Sequence, residues 1–471
     1  MSIDLICKNI TKTYDLSSLL NIKNKNILEQ FSLIVKDAIE NPTIEGNRTL
    51  ITLIYNYFYK EIPKVKYING PNAISYHISK KYNKRIYLFY EAHGRVNNCN
   101  DKFLGPNIDI NKYLNKLFST TYKFIDFYVE TSKTITSESF TYNTTDYINK
   151  VRSEFYNCVD PNLQCEWNNI RVHYSDIRNV IKFEDEKQTI IHYNNIDKIA
   201  DLTSCLESSI IKYTNQPLTH YHKDFFDTEK EYNTHLNKIR LKIVNISNNF
   251  INQYNEILKY KDELLEYILL FLSPNIVSKL FANAKKIDII SKEIEKSDLS
   301  SLTIFMLFMN SYNKNPTLKN SLKYSKKHAR NISKQLKDLT YIDKINNKDI
   351  NIENGFQNFP KIIEMLNGLK LLIEIHNNYI LPNTSCYMDI YTICRMFKRF
   401  KHKSKNIYQP TDIKNIIFYG GLSHSLNISI MLDYLGFETV YNMGTIDTND
   451  PNTASRCLDM KNKQLDFKEI M

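Results

Sequence analysis

Glycine is scarce in this chain, 10 in 471 residues, and Trp167 is its one tryptophan. Against ordinary usage of about 7% glycine, each glycine that remains is a stronger signal for a tight bend or a close backbone approach. Long apolar runs are missing as well. The longest, Leu302–Met309, is interrupted by Thr303 and falls far short of the ~18 residues a membrane-spanning helix needs. The first twenty residues carry Asp4, Lys8, Lys12 and Asp15 and lack an apolar core ahead of a small-residue cleavage site, so a secretory leader is not expected and an intracellular place is. Eight cysteines include no CxxC pair, which argues against a zinc finger or a disulfide framework, and all are expected as reduced thiols. There is no Walker A loop, GxGxxG turn, kinase signature set or GxSxG elbow, so nucleotide-dependent chemistry is not expected.

What is present is the composition of a soluble globular protein, 42% hydrophobic and 24% charged, long enough at roughly 150 residues per domain for two or three lobes. The net charge of +11 is spread along the chain apart from one dense run, Lys398–Lys405. That distribution favours solubility, and nucleic acid is not expected as a partner. Lys, Asn, Ile and Tyr abound at the expense of Gly, Pro and Trp, a bias toward A/T-rich codons. It points to an AT-rich parasite or a large DNA virus as the source.

Residues 1–80 read as helical, with Leu28, Phe31, Leu33, Ile34 and Ala38 and then Leu50–Tyr59 as apolar faces, closed by the turn Asn69-Gly70-Pro71-Asn72. Short β-rich apolar runs follow at Arg85–Tyr90, Phe124–Val129, Ile170–Tyr174 and Ile413–Tyr419, with a fifth at Glu438–Tyr441. Ile108–Tyr122 supplies a crossover helix and Asn427–Leu435 another. This alternation predicts an α/β fold, a parallel or mixed central sheet flanked by helices, built from 81–195 and 406–471. Residues 196–405 form a large all-helical insertion, in which Leu236, Ile239, Ile243, Ile246, Phe250, Tyr254 and Ile257 mark one buried face.

Polar clusters stand where four of the strands end: Glu91 with His93, then Glu130, then Asp176 with Arg178, then His424. In a parallel sheet such tips converge on one edge. Two imidazoles and two or three carboxylates suit zinc, manganese or cobalt, with one carboxylate left to activate water. The same set also works without metal, with His93 or His424 as base. Gly420 and Gly421, adjacent glycines at a strand-to-helix turn just before His424, add weight to that position. Cys99, five residues beyond Gly94, offers a Cys/His nucleophilic pair as an alternative.

Tyr90-Glu91-Ala92-His93-Gly94 after a strand, and Tyr419-Gly420-Gly421-Leu422-Ser423-His424 before a helix and Leu435-Gly436-Phe437, resemble the first and last motifs of the superfamily joining erythromycin esterases, ChaN-like haem-binding proteins and TIKI/TraB-type metalloproteases. The strings Ile170–Arg178 and Met388–Phe397 resemble segments of proteins from mimivirus-like giant viruses. The resemblance implies an α/β fold with a helical insertion and hydrolase chemistry at Glu91, His93 and His424. Tyr90 stands where those proteins commonly have glycine.

The expected function is therefore hydrolysis of an ester or amide bond in a small-molecule or peptide substrate. His93, His424 and Glu130 or Asp176 would hold a divalent metal or position water, Glu91 would be the general base and Arg178 would stabilise the oxyanion. The other reading is a non-catalytic viral structural or host-interaction protein on the same scaffold. The expected location is the host-cell cytoplasm, in a viral factory, or the virion.

Overall fold

The segment Ala73-Ile-Ser-Tyr-His-Ile-Ser79 alternates apolar and polar side chains with period two, and such a pattern builds a strand with two different faces. It forms β2 (Ala73–Ser79), after β1 (Tyr67–Asn69). The helical expectation for residues 1–80 therefore fails over 67–79, where strand alternation overrides it; residues 1–66 lie outside the described residues. The computed structural model describes residues 67–92, 107–121, 123–132, 147–159, 163, 165–167, 169–178, 226–349, 360–400, 410–444 and 457–459.

The chain divides into two units, a sheet unit (Met1–Ile177, Lys296–Ser300 and Thr392–Met471) and a helical unit (Arg178–Glu295 and Ser301–Tyr391). The expected boundaries near 195 and 405 thus shift to 177 and 391. The second shift has a visible cause: the last turn of a long helix carries Arg395, which bonds into the sheet.

In the sheet unit, β2 is followed by β3 (Lys84–Glu91), β4 (Asn107–Asp109), α1 (Ile110–Thr120), β5 (Ile125–Ser132), α2 (Tyr147–Glu154), α3 (Tyr156–Val159) and β6 (Ile170–Asp176). Near the C-terminus come β7 (Asn415–Gly421), α12 (Leu422–Tyr434), β8 (Glu438–Gly444) and β9 (Cys457–Asp459). The main sheet has the order β6-β5-β7-β3-β2-β8, and a small one has the order β4-β1-β9. β6, β5, β7 and β3 run parallel, whereas β2 is antiparallel to both β3 and β8. The α/β expectation is met, with a mixed sheet.

Register assigns side chains to faces. Ile125, Phe127 and Val129 of β5 align with Ile417 and Tyr419 of β7 and with Tyr87 and Phe89 of β3. These residues form one apolar core with Tyr113, Leu114, Leu117 and Phe118 of α1 and Ile148 and Val151 of α2. The alternate residues, Asp126, Tyr128 and Glu130 on β5 and Leu88 and Tyr90 on β3, lie on the other face. There Ser425 of α12 donates to the carbonyls of Phe89 and Gly420.

Cys158 and Cys165 form a disulfide, and Cys457 is also disulfide-bonded. The reduced-thiol expectation fails at these three positions. Disulfide formation is decided by proximity in space, and a spacing of seven residues carries no motif. Among the described residues Cys386 and Cys394 are buried and are not disulfide-bonded.

The helical unit begins with α4 (Glu229–Leu258), whose expected face buries Leu236, Ile239, Ile243, Phe250, Tyr254 and Ile257. Thr228 caps its start: the Thr228 hydroxyl accepts the N–H of Glu231. Next come α5 (Lys261–Leu270), α6 (Ile276–Lys285), α7 (Asp288–Lys296), α8 (Ser301–Lys314), α9 (Pro316–Asp338), α10 (Pro360–Ile375) and α11 (Leu381–Met396). Asn315 caps α9 by accepting from Thr317 and Leu318, and Pro316 occupies the first turn, where its missing N–H costs nothing. No helix among the described residues is long and apolar enough to cross a membrane.

Candidate functional site

The parallel strands end at Glu91, Gly421 and Asp176, while β5 runs on past Glu130 to Ser132. Among the described residues, Glu91, Glu130, Asp176 and His424 thus lie at one end of the parallel strands. They do not share one face.

Glu130 stands on the face that α12 covers. Its Oε2 accepts the Gly421 N–H at 2.7 Å, and its Oε1 lies 3.8 Å from His424 Nε2, with both side chains almost wholly buried. The adjacent glycines explain how the carboxylate fits. A Cβ on Gly420 would come within 2.7 Å of the Phe418 ring and 3.3 Å of Glu130 Oε2. Gly421 supplies the N–H, and its φ of −57° is open to any residue. The glycine pair therefore serves close approach rather than unusual backbone. His424 is the third residue of α12, where the partial positive charge of the helix N-terminus sits beside the carboxylate.

Glu91 stands on the opposite face. It is fully buried, and its Oε1 accepts the N–H of Ile148 at 3.0 Å in the first turn of α2. A carboxylate placed there satisfies an orphan helix donor and complements the helix dipole. Alternation along the strand separates it from Glu130: the two strands have their register through β7, and the residues fall on opposite sides of it.

Asp176 is buried at the end of β6, in register with Ser132 beyond an irregularity in the β5–β6 pairing. Arg178, two residues further and half-buried, begins the helical unit. His93 and Cys99 lie outside the described residues. Among the described residues no three His, Cys, Asp or Glu side chains close into a group able to hold a metal ion. Glu130, Asp176 and His424 would need a further ligand, for which His93 is the sequence candidate.

Two buried polar clusters on the α12 face were not foreseen. At the opposite end of the parallel strands, His173 donates from Nε2 to Asp126 Oδ1 at 2.7 Å and accepts at Nδ1 from Arg395 at 3.0 Å. Arg171 donates to the same Asp126 oxygen at 2.6 Å, and its guanidinium lies 3.9 Å from the Phe400 ring centre. Burial pushes the His173 imidazole down to about 4, against the pull of Asp126. For Asp126 burial acts to raise the pKa, but the His173 hydrogen bond and the Arg171 charge outweigh it and hold the carboxyl below its usual range. Both ring nitrogens of His173 are committed, so this cluster ties strands and helix together rather than exchanging protons. An aspartate at the second position of β5, between Ile125 and Phe127 and beside the alternate polar residues Arg171 and His173 of β6, was the legible sign.

The second cluster is His77, fully buried on β2, with Ser75 Oγ at 2.8 Å from Nε2 and Thr439 Oγ1 at 3.1 Å from Nδ1. Ser75 also bonds the Tyr90 hydroxyl at 2.8 Å. Burial pushes His77 down to about 4.

No protein-family model, no curated protein and no solved structure matches this chain.

Proposed function

We propose that the protein is a hydrolase of ester or amide bonds whose reacting centre is the Glu130–His424 pair. The observation that carries this reading is the 3.8 Å approach of carboxylate and imidazole at the strand-to-helix turn Gly420–Gly421, at the carboxyl ends of parallel strands, where α/β sheets place their sites. In this reading Glu130 orients the imidazole and stabilises its charged form, and His424 moves the proton between water and the leaving group. Glu91 has no part in the chemistry, because its carboxylate caps α2 on the other face. In the alternative, metal-dependent form of this reading, a divalent zinc, manganese or cobalt ion would be held by Glu130 and His424 together with His93 or Asp176, and would supply the activated water in place of the imidazole base. The resemblance of Tyr90–Gly94 and Tyr419–His424 to motifs of the erythromycin esterase superfamily supports the same reading.

The test is a panel of aryl esters and peptides with the wild type, Glu130→Gln, His424→Ala and Glu91→Gln, together with metal content by mass spectrometry. Glu130→Gln and His424→Ala should each lose at least ~100-fold in kcat/KM, with Glu91→Gln within about threefold of wild type. Full activity in either of the first two overturns the assignment.

A specific observation favours a second reading, a structural or host-interaction protein of a virus particle. Disulfides persist in secreted proteins and on virion surfaces and are rare in the cytosol, and this chain has Cys158–Cys165 and a bonded Cys457.

A further inference from the structure

Helix α9 exposes Lys319, Lys323, Lys326 and Lys327 in its first half and Arg330, Lys334 and Lys337 in its second. At about 100° per residue all seven fall within an arc of about 100°, so they form one stripe. From Lys319 to Lys337 the stripe runs about 27 Å at ~1.5 Å per residue. Asp338 is the only acidic residue of the helix. Among the described residues none of the seven charged groups has an ion-pair or hydrogen-bond partner. The rest of the lobe does not share this bias: from 226 to 391, the described residues outside α9 carry equal numbers of acidic and basic side chains.

Holding seven cations side by side costs repulsion that natural helices relieve with interspersed acids, and an uncompensated row is relieved by a polyanion. We propose that α9 is a docking surface for the phosphate backbone of double-stranded nucleic acid, bound without regard to sequence. The geometry matches: along ~27 Å one strand of B-form duplex presents about eight phosphates at ~3.4 Å each, against seven cations. An anionic membrane fits less well. Basic helices that lie on membranes insert their apolar face, and that of α9, Leu318, Ala329, Ile332 and Leu336, is buried within the lobe. No large apolar side chain of α9 is exposed. The even spread of charge read from the linear sequence conceals this stripe, because residues three and four apart become neighbours only on a helix.

The experiment measures fluorescence anisotropy of a labelled 20-base-pair duplex with the full chain between 50 and 200 mM salt. The probe variant is Lys323→Gln, Lys327→Gln, Arg330→Gln, Lys334→Gln. The control is Lys279→Gln, Lys285→Gln, Lys286→Gln, three exposed positions on and just beyond α6. Each neutralised phosphate contributes about −0.9 to the slope of log K against log salt. The probe variant should bind at least ~30-fold more weakly at 100 mM salt, with a slope shallower by about 3 to 4, while the control keeps the wild-type slope. If the fourfold variant loses its helical circular dichroism, Lys323→Gln, Lys334→Gln should give about half that slope change. The proposal is overturned by absence of duplex binding at 50 mM salt. It is equally overturned if the control weakens binding as much as the probe variant, which would make net charge the cause. Capture by phosphatidylserine vesicles but not by duplex would assign the stripe to a membrane and overturn it too.

Discussion

Acid should weaken the sheet unit through His77 and His173, and replacing His77 by Gln should remove half of that weakness. His77 drops from 6.5 to about 4 on burial, and His173 does the same. Between those values the unfolded chain takes up a proton that the folded one refuses, so stability rises with pH across this window, is complete above pH 6.5 and falls as pH drops toward 4. With about 1.4 kcal/mol per pKa unit, each histidine accounts for about 3 kcal/mol over the whole window and about 2 kcal/mol between pH 7 and pH 5. Asp126, held below its usual range, loses its contribution only at lower pH and does not enter this comparison. The assay is urea unfolding followed by Trp167 fluorescence. Trp167 is the only tryptophan, packed against Phe118 and Phe155 in the core of the sheet unit, and so reports that unit alone. Glutamine keeps a donor and an acceptor for Ser75 and Thr439 but has no proton to gain. The wild type should lose about 4 kcal/mol from pH 7 to pH 5 and His77→Gln about 2 kcal/mol. Equal losses in the two proteins would refute the assignment of a neutral, proton-refusing His77.

Gly420→Ala places a Cβ within 2.7 Å of the Phe418 ring and 3.3 Å of the Glu130 carboxylate; it should cost about 1 to 3 kcal/mol by the same fluorescence titration, and an unchanged urea midpoint would contradict the close approach. Reducing the Cys158–Cys165 bond, which closes a separation of seven residues, should lower stability by about 2.5 kcal/mol on the chain-entropy account. Alkylation of both thiols without prior reduction, seen by peptide mapping, would show that the bond is absent.

Much of the sheet was legible because its inner strands are fully buried and read as short apolar runs: β3, β5 and β7 have every residue or nearly every residue covered. β2 escaped because Ser75, His77 and Ser79 break up its apolar character, and they are tolerated there only because hydroxyls and imidazole satisfy one another. The site was legible as an edge and not as a face. Glu91, Glu130 and Asp176 do stand at one end of the parallel strands, but alternation sends Glu91 to one side of the sheet and Glu130 to the other. A single sequence shows neither register nor bulge, and one residue of shift would exchange the two. Asp126, His173 and Arg395 are separated by up to 269 positions, and no local pattern joins them.

The two carboxylates make the assignment of function sharper than either would alone. Glu91 and Glu130 each accept one backbone N–H at the start of a helix, that of Ile148 in α2 and that of Gly421, the residue that precedes α12. Capping by itself therefore explains both, and what distinguishes Glu130 is the imidazole 3.8 Å away. Glutamine separates the two roles, since its carbonyl oxygen still accepts the N–H while its charge is gone. If Glu130 only caps, Glu130→Gln and Glu91→Gln should behave alike, each losing about 1 kcal/mol or less and neither affecting turnover. If Glu130 also positions the His424 imidazole, Glu130→Gln should match Glu91→Gln in urea midpoint and lose turnover at least ~100-fold. Parallel loss of stability and turnover in Glu130→Gln would return the residue to a purely structural role and leave the hydrolase reading without its centre.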